Sequence, residues 1–158
     1  MRRDSIKFLA GVTTACLLVL ALGCSSIRAQ GRYRGQSYTK SDVDRIIKRV
    51  EDRSDTFKEV VDRSLDRSAL NGTRREDNIN EQVKQFEKAL DALRSDFDRQ
   101  DRWMETRRQV ERVLDEADEI NVLIRRHYLR QHLERGWALL RADLNRLAGV
   151  YDLPRLKT

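Results

Sequence analysis

The chain predicts an all-α fold, read as an antiparallel up-down four-helix bundle behind an N-terminal signal or anchor segment. Two observations predict the helices. Four stretches repeat apolar residues at spacings of three and four, which keeps them on one stripe of a helix, whereas a strand would alternate by two. The positions between are mostly Asp, Glu, Arg, Lys, Gln and Asn, so each stripe is a narrow apolar seam on a charged rod. A third observation predicts the segment in front. Arg2, Arg3 and Lys7 precede Phe8–Leu22, a run of 15 residues without a charge, and Gly23 and Cys24 follow. A positive start, a short apolar run and small residues are the layout of a bacterial export signal.

Residues 1–29 are therefore assigned to export. A membrane-spanning helix needs roughly 20 apolar residues, so the run is short for permanent spanning, although an uncleaved anchor stays open. Ala21-Leu22-Gly23-Cys24 resembles the lipobox of bacterial lipoproteins, with Gly23 and Cys24 in place and the expected leucine one position early, at Leu20. That resemblance implies lipidation of Cys24, and several acyl chains would anchor the protein stably, at about 0.8 kcal/mol per buried CH₂. The rival is cleavage after Ala29, which releases a soluble protein beginning at Gln30. Cys16 leaves with the signal, so no disulfide framework is expected.

Residues 30–40 read as a basic flexible linker. The chain has a net charge of +6, and its placement matters. Residues 1–27 carry +2 and residues 28–40 carry +4, which leaves 41–158 with 25 basic and 25 acidic residues and no net charge. A nucleic-acid-binding domain needs an excess on its folded surface, so no nucleic-acid partner is expected. The linker is suited to anionic lipid headgroups or to no partner. Within the body, residues 120–158 carry +5 and residues 41–119 carry −5. Complementary helices flanking one another explain this, and so does a basic patch for an anionic partner.

The helical domain is assigned to 41–153. Its first stripe is Val43, Ile47, Val50, Ser54, Phe57 and Val61, begun between Thr39 and Ser41, with Ser41-x-x-Asp44 resembling a capping box. Asn71-Gly72 ends that region, and Thr73-x-x-Glu76 opens the second stripe of Ile79, Val83, Phe86, Leu90, Leu93 and Phe97. The third is Trp103, Thr106, Val110, Val113, Ala117, Ile120 and Ile124. The fourth is Leu133, Trp137, Leu140, Leu144, Leu147 and Tyr151, closed by Gly149 and Pro154, with 154–158 left as a tail. Each large side chain fully buried contributes roughly 1.5–3 kcal/mol, enough in sum to order a domain of this size. Ser54 and Thr106 are small polar gaps that fit close helix approach, a small cavity or ordinary packing.

The break near 98–102 lacks turn chemistry and rests on phase. Continuing the second stripe past Phe97 points to Gln100, Met104, Arg107 and Glu111, which are not apolar core residues apart from Met104. The third stripe is slipped by one residue, a rotation of about 100°. A turn between two helices accounts for this. The alternative is one long central helix over about 77–127 in an extended helical hairpin. A second break, at 126–131, also lacks turn residues.

No catalytic, cofactor or metal site is predicted. His127 and His132 are five apart, on different helix faces, and neither belongs to an H-E-x-x-H or a di-iron helix motif. Asp115, Glu116, Asp118 and Glu119 form an acidic run that reads as a solvated face, since calcium sites need irregular backbone. Trp103 beside Met104, near a helix start, is the candidate for an exposed partner contact. Arg125, Arg126 and Arg130 are candidates for an anionic partner.

Thr73-Arg-Arg-Glu-Asp-Asn-Ile-Asn and Trp137-x-x-Leu-Arg-x-Asp-Leu-Asn-x-Leu-Ala, taken with the export signal, resemble a set of uncharacterised exported α-helical proteins of Gram-negative bacteria. The likeness covers about 38–153 and implies compartment and fold, with no activity attached. The expectation is a non-enzymatic envelope protein, periplasmic and either soluble or attached to the outer membrane, that acts by macromolecular interaction or structural support. The alternative is a small-ligand or metal-binding helical bundle, which requires a polar-lined internal pocket.

Overall fold

The computed structural model describes residues 32–33, 36–126 and 130–157, so the export segment with Cys16 and Cys24 lies outside the described residues. Four helices make up the domain: α1 (Lys40–Asp66), α2 (Arg74–Arg99), α3 (Arg107–Arg126) and α4 (Arg130–Val150), with a single 3-10 turn at Trp103–Thr106 ahead of α3. Two short strands, β1 (Arg32–Tyr33) and β2 (Gln36–Ser37), pair antiparallel ahead of α1, and β1 packs on α4. Part of the expected linker is thus a small ladder.

The first helix starts slightly earlier than Ser41-x-x-Asp44 implies. Thr39 is the cap, in extended backbone, and Asp42 completes a reciprocal box with it. The Asp42 amide donates to Thr39 Oγ1 at 3.2 Å and the Thr39 amide donates to Asp42 Oδ2 at 3.0 Å. Tyr38, just before the cap, packs on the core that Val43 enters, the positions of a hydrophobic staple. In the turn after α1, Gly72 has φ +76°, a conformation that costs a side-chain-bearing residue free energy. Thr73 caps α2 as expected, but Glu76 takes the Gly72 N–H in place of the Thr73 N–H.

The slip in phase at 98–102 is a true break. α2 stops at Arg99, Gln100 turns to extended backbone, and α3 starts after the 3-10 turn, which removes the single long helix as an alternative. Every position of the four stripes is buried, Ser54 and Thr106 included. α1 packs most extensively on α4 and α2 on α3, while the α1–α2 seam is the thinnest of the four sides. Its links run in opposite sequence sense: Lys58 meets Glu87, and Arg94 reaches back to Glu51 and Asp44. In the α1–α4 seam, Phe57 and Trp137 pack with ring centroids 5.4 Å apart. Gly136 faces Phe57 there, and a Cβ would meet its ring at 3.5 Å, an ordinary contact.

The last helix does not end as expected. Gly149 is buried within α4, and the left-handed residue is Asp152, with φ +53°. The Leu153 amide reaches Ala148 O at 2.9 Å and the Asp152 amide reaches Gly149 O at 3.4 Å, the two bonds of a Schellman cap. The segment beyond is no loose tail, because Leu156 is buried and Asn145 grips it at both backbone groups, accepting from Leu156 N at 2.7 Å and donating to Leu156 O at 3.3 Å. Among the described residues no helix is long and apolar enough to cross a membrane.

Candidate functional site

Among the described residues, three surface clefts are lined by charge. The largest, about 570 Å³, lies where the chain enters α1 and is lined by Ser37, Tyr38, Asp42, Arg45, Ile46, Arg49 and Arg146. Its geometry follows from the cap. Thr39 fixes the first turn, so Asp42, Arg45, Ile46 and Arg49 fall three and four apart on one face of α1. The buried Ile46 forms its apolar floor, and α4 presents Arg146 from the other side. The Thr39 hydroxyl and amide hold Asp42 below the usual carboxylate range, with Arg45 adding to the effect. Arg45 also pairs with Asp42. Arg49 lies 3.8 Å from Asp143, which Arg53 approaches at 3.6 Å. Among the described residues no carboxylate pairs with Arg146.

A second cleft, about 340 Å³, runs between α3 and the segment after α4. It joins two expectations, because Arg125 lines it together with Asp115 and Asp118. Beneath it lies a polar hub that the stripes did not reveal. Asn121 is 1% exposed; its Oδ1 accepts from Trp137 Nε1 at 3.0 Å, and its Nδ2 donates to Lys157 O at 3.0 Å. Asn121 falls four residues after Ala117 and three before Ile124, so its place on the buried face could be read from spacing. A third cleft, also about 340 Å³, opens on the thin α1–α2 seam over Ser54, between Glu51, Asp55, Glu87 and Asp91. Two of these carboxylates are tied to cations. Glu87 holds Lys58 and raises the lysine pKa, and Glu51 takes Arg94 in a forked pair that raises the guanidinium pKa further.

The sequence candidates fare unequally. Trp103 is not an exposed partner contact. It is 2% exposed, packed edge-on against Tyr151 with centroids 5.1 Å apart, because the 3-10 turn rotates it into the bundle. Met104 is half-buried against the same core. Arg125 is exposed, and Arg126 and Arg130 end α3 and begin α4 on either side of residues 127–129, which lie outside the described residues. His132 is exposed, and His127 lies outside the described residues. Among the described residues no cluster of His, Cys, Asp and Glu is placed to hold a metal ion.

Comparison of the chain with protein-family models, curated proteins and solved structures gives no match.

Proposed function

We propose that this is a non-enzymatic exported protein of the Gram-negative envelope, an antiparallel up-down four-helix bundle that works by contact with another macromolecule or by structural support. The observation that carries this reading is where the openings lie. The four stripes close on one another, with Phe57, Phe86, Phe97, Trp103, Trp137 and Tyr151 all buried between them. The clefts sit on the surface and are lined by charged side chains. Such surfaces meet partners from outside; a ligand-carrying bundle would place convergent polar groups around an interior cavity.

The test is fractionation of cells expressing the full chain and its Cys24→Ala variant, with and without globomycin. Recovery in the envelope or periplasm supports export. A membrane-bound parent and a Cys24→Ala chain altered in processing or release assign lipidation to Cys24; identical soluble recovery assigns cleavage after Ala29. Retention of both chains in the cytoplasm overturns the reading. Crosslinking in the intact envelope, followed by recovery of the chain without any adduct, removes the interaction role and leaves structural support.

A further inference from the structure

We infer that the cleft of Arg45, Arg49 and Arg146 binds the phosphodiester headgroup of an anionic phospholipid on a membrane surface. The inference rests on the envelope reading for where the lipid is met, and on the cleft itself for the chemistry. Three guanidinium groups from two helices border one opening of about 570 Å³. Planar guanidinium forks match phosphate oxygens two at a time, which lysines do not.

The local acids do not neutralise this charge. Asp42 is engaged by the amide and hydroxyl of Thr39 as well as by Arg45. Asp143 stands at 3.6–3.8 Å from Arg53 and Arg49, ion-pair range but longer than a direct hydrogen bond. Arg146 has no carboxylate partner among the described residues. Two acids against Arg45, Arg49, Arg53 and Arg146 leave a local excess of positive charge in a body that is neutral as a whole.

Position selects a lipid over other phosphates. The cleft lies at the end of the bundle where the chain arrives from Arg28, Arg32 and Arg34, a stretch with no acid. Cys24 and the apolar run are 13 or more residues before Ser37. Arg32 pairs with Ser37 across the ladder, so the free span from Cys24 to this end is eight residues, at most about 29 Å, whereas the far end of α1 is ~40 Å away at 1.5 Å per residue. The arginine end is therefore the end that faces the surface the N-terminal segment touches, and the partly buried Tyr38 at its rim suits the headgroup level.

The test uses the exported chain and a lipid short enough to stay dissolved, so that any anchor on the protein cannot contribute. Dihexanoyl phosphatidylglycerol is titrated against dihexanoyl phosphatidylcholine, inorganic phosphate and a short single-stranded oligonucleotide, with NMR of the arginine Nε–H groups as the readout. Expected are shifts at Arg45, Arg49 and Arg146 with phosphatidylglycerol, weakening with salt, and an affinity about tenfold or more lower in the Arg45→Gln/Arg49→Gln/Arg146→Gln variant. An unchanged melting temperature shows that the variant is folded, and Arg146→Gln alone, at an exposed residue with no carboxylate partner among the described residues, gives the same direction of loss without risk to the fold. Equal binding of phosphate or of the oligonucleotide, no shift at these arginines, or unchanged affinity in the variants overturns the proposal. Binding in solution does not depend on where the protein resides, so a failure here and a failure of export are read separately.

Discussion

At the end of the bundle where α1 and α3 begin and α2 and α4 finish, the bonds join residues far apart in the chain. Lys40 Nζ donates to Gln100 O at 2.6 Å and lies 5.3 Å from the centre of the Phe97 ring. Thr106 Oγ1 and the Tyr151 hydroxyl are 2.8 Å apart, and Trp103 O stands within hydrogen-bond reach of both, at 2.8 and 3.2 Å. Arg107 donates to the carbonyls of Tyr151 and Asp152 at the negative end of α4. The turn between α1 and α2, at the other end, is bonded to itself. Ser68 bonds Leu65 and Leu70, Asn71 bonds Asp66, and Thr73 bonds Leu70 and Glu76, all within five residues. The first end forms only when the whole bundle forms. The second can form early and open alone.

The largest break of this contrast is Trp103→Ala. It empties a fully packed aromatic site and costs about 3–5 kcal/mol by denaturant unfolding. If Gly72→Ala in the opposite turn costs as much, the two ends are not energetically distinct. Next comes alkaline pH. Burial pushes the Tyr151 hydroxyl up to about 12, against an ordinary 10, with the Thr106 hydrogen bond pulling the other way. The unfolded chain therefore loses this proton first, and stability contributed below pH 10 is lost as pH rises to 12, about 1.4 kcal/mol per unit. Tyr151→Phe removes that slope, measured as the difference in unfolding free energy between pH 9 and pH 11.5; an unchanged slope discards the buried hydroxyl as its source.

Smaller effects belong to the local turn. Thr73→Ala costs about 1 kcal/mol through the lost cap, and Gly72→Ala about 1 kcal/mol through the positive φ. Hydrogen exchange sharpens both: amides 68–73 open locally, while those of Thr106 and Tyr151 exchange only with global unfolding. Equal protection at the two ends contradicts the contrast. The smallest effect has the opposite sign. Gly136→Ala fits against Phe57 and raises stability by up to about 1 kcal/mol, seen as a higher melting temperature.

What could be read in advance follows the same divide. The α1–α2 turn is written locally, in Asn71-Gly72-Thr73, and periodicity placed every stripe residue on the buried side. The α2–α3 break has no such signature and showed only as a slip in phase, because tertiary bonds from Lys40 and Tyr151 hold it. For Trp103 the stripe is the better guide than its place near a helix start, because the 3-10 turn holds it inward. The cap at Thr39 falls at the first residue of the expected start, and only the box is offset, because Ser41-x-x-Asp44 carries the same chemistry as Thr39-x-x-Asp42. The arginine cleft needed α4 beside α1, and the hub at Asn121 needed the segment after Pro154, so neither pairing is visible along the chain.

The pairing of α1 with α4 also has a consequence for biosynthesis. The first helix made finds its most extensive partner in the last, and Asn121 and Asn145 wait longer still for Leu156 and Lys157. A chain made from its N-terminus must hold α1 with that face open until α4 has followed. A chain cut short before Leu156 would leave Asn121, beside Trp137, and Asn145 without their last backbone partners.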